Sequence, residues 1–199
     1  MANQLLVRHG VVTRDAAAIE QLPGGFSALY PVLRRLEETG RIRRGYFVAG
    51  LGAAQFALPG AAERVRASKP DRAPQLVVLA ATDPAQPYGA ALPWPEPPDV
   101  DSHDDDVRLP RPSRSAGALV VLRDGAPVAF FDPRGHHVLA FDVDDVDWVD
   151  ALPEVVRAGR VRRLEIQRVN GVAVRSTPVV AALEHAGFVP TPRGVVLRS

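Results

Sequence analysis

The chain has 199 residues, of which 46% are hydrophobic, and its formal net charge is +1 at pH 7. This length allows one large domain or two small ones, and the near-neutral charge excludes binding through bulk charge, so any charged interaction surface has to be local. The chain has no cysteine and no apolar run near the roughly 20 residues of a membrane span. These absences exclude a disulfide scaffold and a thiolate metal site, and they predict a cytoplasmic protein with no membrane partner.

Two short helix patterns open the chain. Met1–His9 is typical of the end of a helix, and Thr13 is placed to cap a second helix over Arg14–Leu22, which has one apolar face. The sequence Pro23-Gly24-Gly25 ends this second pattern, because proline and glycine interrupt helices.

A longer amphipathic helix follows, and it organises the first part of the chain. Its apolar residues recur at the spacing of one helical face. These residues are Leu29, Val32, Leu33 and Leu36. We expect the helix to begin near Ser27, because that start leaves Pro31 in the first turn, where proline is tolerated. Gly40 is positioned to end the helix.

A basic β-hairpin is predicted directly after this helix. Arg41–Val48 and Ala54–Leu58 have strand patterns, and Ala49–Gly52 between them supplies glycines for the turn. A helix, a stop and a basic ribbon are the layout of a winged helix-turn-helix, which places its helix in a DNA groove and its wing on the backbone. Because such a domain usually has a full first helix, the short Met1–His9 pattern predicts that the chain is part of a longer protein.

A short helix pattern at Pro59–Arg66 completes a predicted winged-helix domain over residues 1–66. A polar, proline-flanked linker over 67–74 separates this domain from a second one over 75–199. Within the second domain, an acidic stretch near 97–113 is predicted to be a disordered or solvated loop.

The second domain alternates strand and helix patterns. Two-residue turns at Asp124-Gly125 and Asn170-Gly171 indicate hairpins. Other strands are predicted at Gln75–Ala80, Val138–Phe141, Leu164–Val169 and Val195–Leu197, and helices at Asp144–Ala158 and Pro178–Ala186, the latter capped by Thr177. The predicted fold class is therefore α+β: a winged helix-turn-helix followed by a small mixed, mostly antiparallel β-barrel-like module with helices.

Clustered arginines are the strongest functional signal in the chain. Gly24–Val48 holds five arginines against two glutamates, and exposed guanidinium groups neutralise phosphates. The predicted DNA-binding residues are Ser27, Tyr30, Arg34, Arg35, Arg41, Arg43, Arg44 and Tyr46. The alternative is a solvated helix face with charges that guard an edge strand, in a winged helix that contacts only proteins.

The loop after the first strand of the second domain is another candidate. Asp83 follows the strand end, where a carboxylate can polarise water, and Tyr88 and Trp94 are candidates for stacking on a base. Asp83 is therefore the candidate catalytic residue. The alternative is that Asp83 caps a turn before Pro84 and that the two aromatic rings pin the loop to the core.

No metal site is predicted. His103 lies in the acidic loop, whose spacing fits neither an EF-hand nor a zinc site, and the adjacent His136 and His137 point to opposite faces of a strand. The sequence also has no phosphate-cradling Gly-x-x-x-x-Gly-Lys-Ser/Thr loop, no H-E-x-x-H helix and no nucleophile elbow. These residues therefore contain no nucleotide motor.

Three segments carry a family resemblance. They are GGFSALYPVLRRLEETGRIRRGYFVAGLGAAQFALPGA at Gly24–Ala61, VLAATDPAQPYGAALPWP at Val78–Pro95, and STPVVAALEHAGFVPTPRGVVLR at Ser176–Arg198. Together they resemble the C-terminal end of Lhr-type (large helicase-related) superfamily-2 DNA helicases of bacteria. The resemblance implies an ATP- and Mg-dependent 3′-to-5′ translocating core elsewhere in a longer polypeptide, a role in DNA repair, and no cofactor in this chain. The implied partners are single-stranded or tailed duplex DNA, the helicase core, and a second copy of the chain in a homo-oligomer.

The resemblance leaves three functions open. The first is a DNA-binding accessory region of the helicase, without the motor. The second is base excision with Asp83 activating water, because this end of the family resembles the AlkZ kind of winged-helix DNA glycosylase and is ascribed uracil-DNA glycosylase activity. The third is protein interaction or oligomerisation through the second domain.

Overall fold

The structure, a computed structural model, describes residues 1–52, 54–68, 73–99 and 109–198. The chain divides into two compact units, a first unit of Met1–Asp71 with Ala90–Pro93 and a second unit of Arg72–Gly89 with Trp94–Ser199. The centre of the predicted acidic loop, with His103, lies outside the described residues. The domain limits drawn from the sequence, 1–66 and 75–199, stay a prediction.

The described residues of the first unit form four helices and one small sheet. In chain order the elements are α1 (Ala2–His9), β1 (Val11–Val12), α2 (Arg14–Ile19), α3 (Gly25–Glu38), β2 (Arg43–Gly45), β3 (Gln55–Ala57) and α4 (Ala61–Ala67). The sheet is antiparallel in the order β1-β3-β2, so that Val11 and Arg43 flank Ala57 from either side. The core contains Leu6, Leu29, Leu33, Ile42 and Phe56.

Two predicted helix signals of this unit are confirmed. Thr13 caps α2, because its Oγ1 accepts a hydrogen bond from the N–H of Ala16 at 3.1 Å. Gly40 has φ 71° and follows the end of α3. The N–H of Arg41 donates a hydrogen bond to the carbonyl of Leu36 at 2.9 Å. This bond is typical of a helix that ends at a glycine in the left-handed conformation.

The predicted start of the long helix is wrong. α3 begins at Gly25, so Pro31 lies in its second turn. Proline removes only the hydrogen bond to the Ser27 carbonyl, and because Ser27 is exposed, water can bond to that carbonyl instead. Val32, predicted in the apolar stripe, is 49% exposed. α2 is also shorter than predicted and ends at Ile19.

The described residues of the second unit form nine strands and two α-helices. The strands are β4 (Leu76–Ala80), β5 (Leu119–Arg123), β6 (Ala126–Phe131), β7 (His137–Ala140), β8 (Arg163–Ile166), β9 (Arg168–Val169), β10 (Val172–Ala173), β11 (Val189–Thr191) and β12 (Gly194–Arg198). The helices are α5 (Leu152–Arg157) and α6 (Val179–His185).

These strands form open sheets, and the predicted barrel-like closure is not observed. One sheet has the order β10-β9-β7-β6-β5-β4 and the other has the order β11-β12-β8. Pairing is antiparallel except between β7 and β9, which are parallel. A barrel needs its two edge strands to pair, and within the described residues β4 and β10 remain at opposite edges. The main core, with Phe131, Trp148 and Ile166 fully buried, lies in this unit.

Both predicted two-residue turns of the second unit are confirmed. Asp124 and Gly125 have φ 48° and 89°, and Asn170 and Gly171 have φ 48° and 79°. Positive φ at both central positions is the geometry that joins twisted antiparallel strands.

Three other predictions for this unit are wrong in detail. The single strand over Leu164–Val169 is split at Gln167, because β8 pairs with β12 whereas β9 pairs with β7 and β10. The helix over Asp144–Ala158 begins as a 3₁₀ helix at Asp147–Ala151 before α5. Thr177 does not cap α6, because its hydroxyl donates to a carbonyl three residues earlier at 2.7 Å.

Candidate nucleic-acid interface

The exposed face of α3 presents two of the predicted arginines. Arg34 Nε lies 3.1 Å from Glu38 Oε1, and Arg35 Nη1 lies 3.9 Å from Glu38 Oε2. Ser27 is exposed near the start of the same helix. Because one carboxylate offsets two guanidinium groups, this face keeps a net positive charge.

Arg44 links the ribbon, which is the hairpin of β2 and β3, to α3. Its Nε lies 3.4 Å from Glu37 Oε1, and its Nη1 donates to the Tyr30 hydroxyl at 3.4 Å. The Tyr30 ring is half-buried, with its centroid 5.9 Å from the ring of Phe26 and 5.8 Å from that of Phe56. Tyr30 therefore anchors Arg44 from the core, and its hydroxyl is the part that reaches the surface.

Arg41 and Arg43 are exposed, and neither forms an ion pair with a residue that the structure describes. Arg43 and Arg44 are neighbours in β2, and neighbours in a strand point to opposite faces of the sheet. Arg44 contacts α3, so Arg43 points to the other face. Since β2 is an edge strand, the ribbon presents one guanidinium on each side of its edge.

The ribbon loop is held by the side chain of Gln55, which is fully buried. Its Oε1 accepts hydrogen bonds from the N–H groups of Phe47 and Val48 at 2.9 and 2.8 Å. Its Nε2 donates to the carbonyls of Val48 and Gly52 at 2.8 and 2.9 Å. Tyr46 immediately precedes this fixed segment and is 83% exposed. The sequence offers no signal for the role of Gln55, because a glutamine in a strand pattern predicts an exposed position.

The charge balance of this surface favours a polyanion. All five arginines of residues 24–48 are exposed, and Glu37 and Glu38 are the two carboxylates that offset them. Exposed ion pairs of this kind are weak, typically about 0.2–1 kcal/mol. A phosphate backbone can therefore replace the carboxylates at small cost.

Asp83, the candidate catalytic residue, lies in a turn at the end of β4. Its Oδ1 accepts a hydrogen bond from the N–H of Ala85 at 2.8 Å, and its own N–H donates to the carbonyl of Ala80 at 2.9 Å. An aspartate that bonds to the backbone two residues later is a common turn device. In the described residues no acidic or basic side chain hydrogen-bonds to the Asp83 carboxylate, and its catalytic role stays a prediction.

Tyr88 and Trp94, the candidate stacking residues, pack on the second unit itself. Their ring centroids are 6.1 Å apart, and the Trp94 ring meets Phe130 edge-on at 5.6 Å. Burial raises the pKa of the Tyr88 hydroxyl above its ordinary value. In this arrangement Trp94 attaches the loop that follows β4 to the sheet, Tyr88 packs on Trp94, and both side chains are partly buried.

Two residues that the sequence did not single out organise this loop. Gln86 is 1% exposed, and its Nε2 donates to the carbonyl of Ala81 at 3.1 Å. Arg114 Nη2 donates to the carbonyls of Thr82 and Asp83, both at 3.2 Å. Arg114 lies far from the loop in sequence, so no local pattern identifies it.

The structure brings together no metal ligands in the part of the chain that it describes, where no three His, Asp or Glu side chains meet. His137 donates its backbone N–H to the Asp132 carboxylate at 2.9 Å, which closes the turn before β7. Among the described residues, no helix is both long enough and apolar enough to cross a bilayer.

The first unit has the arrangement of a winged-helix domain. Three helices precede a β-ribbon, and β1 completes the sheet beside it. Residues 1–77 match the family described as "Large helicase-related protein, winged-helix domain". The chain belongs to the large helicase-related (Lhr) family.

Two curated relatives match almost the whole chain. "Lhr helicase/ probable uracil glycosylase" of Mycolicibacterium smegmatis is 46% identical over 212 residues, which cover 99% of this chain and 14% of the relative. "Lhr helicase/uracil glycosylase" of Escherichia coli is 34% identical over 207 residues, which cover 98% of this chain and 13% of the relative. The chain therefore spans only a small part of the length of these relatives.

Proposed function

We propose that the chain is a DNA-binding accessory region from the C-terminal end of an Lhr-type helicase. Its α3 and β2 contact the phosphate backbone of single-stranded or tailed duplex DNA. The observation that carries this proposal is the surplus of exposed arginines on the two elements that a winged helix presents to DNA. A helicase core in the same polypeptide binds ATP and Mg and translocates 3′-to-5′ during DNA repair.

The two sides of the ribbon suggest how the backbone is bound. Arg44 is held towards α3 by Glu37 and Tyr30, whereas Arg43 faces the opposite side of the edge strand. A strand of DNA that follows the α3 face meets Arg34, Arg35 and Arg44. Arg43 then adds a contact to a phosphate on the other side of the wing. Such contacts position DNA and are insensitive to its sequence.

A double substitution tests this proposal. Arg43→Ala with Arg44→Ala should weaken binding to all DNA sequences alike and flatten the plot of log binding constant against log salt by about two units, because each phosphate contact contributes about 0.9. A matched control removes two exposed arginines of the second unit, Arg157→Ala with Arg193→Ala. If both double variants have the same affinity and salt slope as the wild-type chain, the ribbon is not a DNA contact.

A second candidate function is base excision from uracil-containing DNA. The names of both relatives favour it, since each includes uracil glycosylase. In this candidate Asp83 activates water for attack on a base flipped out of the strand. The Asp83 carboxylate would have to leave its hydrogen bond to Ala85 or use its second oxygen.

The wild-type chain and Asp83→Asn are compared on a uracil-containing single strand, followed by alkali to cleave abasic sites. Asparagine keeps the size of the side chain and its turn-forming oxygen, so this variant should fold. Cleavage that disappears in Asp83→Asn supports base excision through this residue. No cleavage by the wild-type chain, or equal cleavage by both, removes Asp83 from this role.

A further inference from the structure

Tyr46 differs from every other aromatic residue of the chain. The seven phenylalanines, three tyrosines and two tryptophans all lie in the described residues, and Tyr46 alone among them is exposed, at 83%. A single exposed apolar residue is ordinary in a folded protein. What distinguishes Tyr46 is its position directly after β2.

The backbone on either side of Tyr46 is fixed. Gly45 closes β2 and pairs with Gln55 in β3. On the other side, the N–H of Phe47 donates to the Gln55 side chain at 2.9 Å. The Phe47 ring also packs over Gly45, since a Cβ atom at Gly45 would lie 3.4 Å from it. A tyrosine ring therefore projects into solvent from a rigid segment, and a ring held in this way loses little conformational entropy when it binds.

The charges near Tyr46 fit a nucleotide. Arg44 lies two positions before Tyr46 in the chain, and β2 ends between them at Gly45. Arg44 is itself anchored beside α3 by Glu37 and Tyr30. A cation for the phosphate and an aromatic ring for the base are the two parts of a site for unpaired nucleic acid.

We propose that Tyr46 is a stacking platform for an unpaired base and that it gives the winged-helix unit a preference for single-stranded over duplex DNA. This inference rests on the proposed DNA-binding function. Base pairs in the interior of a duplex are already stacked on both faces, so they offer Tyr46 no surface, whereas an unpaired base does. Tyr88 and Trp94 do not offer the same platform, because they pack against each other and Trp94 also packs against Phe130.

Binding of the full 199-residue chain to three DNA ligands of equal length tests the proposal. They are an oligodeoxythymidine of about 16 nucleotides, an abasic strand with the same phosphates, and a blunt duplex. Tyr46→Leu should bind oligodeoxythymidine about tenfold more weakly, the scale of one base–aromatic stack, and should bind the abasic strand and the duplex as the wild-type chain does. Tyr46→Phe keeps the ring and should retain wild-type binding to all three.

The outcomes separate this inference from the function on which it rests. Arg43→Ala with Arg44→Ala should weaken binding to all three DNA ligands, since each has phosphates. If Tyr46→Leu binds oligodeoxythymidine as tightly as the wild-type chain, or loses equal affinity for the abasic strand, Tyr46 is not a stacking platform, while the arginine result still stands. If the wild-type chain binds none of the three DNA ligands, both the DNA-binding function and the stacking inference are overturned.

Discussion

The substitution Gln55→Leu should destabilise the wing. Gln55 is fully buried, and its amide makes four hydrogen bonds to backbone groups of the ribbon loop. Each such bond contributes about 0.5–1.5 kcal/mol net. Leucine has a similar size but makes none of these bonds, and water can reach the orphaned groups only in part. We expect the free energy of unfolding of the first unit to fall by about 2–4 kcal/mol.

The assay is a urea titration followed by the NMR amide signals of α3, so that only the first unit is observed. Amide exchange of Phe47 and Val48 should also become faster, since their N–H groups lose their acceptor. The matched control is Gln4→Leu, at an exposed position of α1 in the same unit. If the two variants have the same unfolding midpoint and the same exchange rates, Gln55 does not hold the wing.

Three further predictions concern other parts of the chain. Arg8 and His9 both hydrogen-bond to the Glu20 carboxylate, and the bond from Arg8 is the main cause that lowers the pKa of Glu20. The ionised carboxylate therefore stabilises the fold above the ordinary carboxyl pKa, and this stabilisation is lost as pH falls through the lowered pKa. Urea midpoints measured from about pH 6 down to about pH 3 should therefore fall less steeply in Glu20→Gln than in the wild-type chain. Gly89→Ala should destabilise the second unit by about 1–3 kcal/mol and shift tryptophan fluorescence, because φ is 72° and an added Cβ would overlap the Trp94 indole. Arg114→Met should make the loop over 82–98 more sensitive to protease, since the guanidinium bonds to its carbonyls.

Local chemistry made a good part of the fold predictable. The end of α3 at Gly40 and the turns at Asp124-Gly125 and Asn170-Gly171 follow from backbone preferences that do not depend on the rest of the chain. The order of helices and hairpin in the winged helix could be predicted for the same reason. The split of Leu164–Val169 between two sheets was not, because β-strand pairing depends on partners far away in sequence.

The candidate interface was predictable in composition and not in geometry. The arginines could be counted from the sequence, but their division by Glu37 and Glu38, and the opposite directions of Arg43 and Arg44, depend on how β2 meets α3. The buried glutamines Gln55 and Gln86 were missed altogether. Their role arises from hydrogen bonds to a loop, and a hydropathy pattern records only that they are polar.

In the proposed interface, protein carboxylates and DNA phosphates compete for the same guanidinium groups. Glu38 is the carboxylate that meets two of them, Arg34 and Arg35. Its replacement by glutamine adds one net positive charge to the α3 face. The change is near the C-terminus of the helix, where loss of a negative charge is favourable, so the variant should fold at least as well as the wild-type chain.

The most direct measurement is the dissociation constant of Glu38→Gln for DNA at low salt. We expect it to bind about two- to fivefold more tightly than the wild-type chain, the equivalent of one exposed ion pair. The matched control is Glu154→Gln, which removes an ion-paired glutamate from α5 of the second unit and should leave affinity unchanged. Because misfolding does not raise affinity, a gain confined to Glu38→Gln would support the arginine surface. Equal affinity in both variants, or weaker binding by Glu38→Gln, would contradict it.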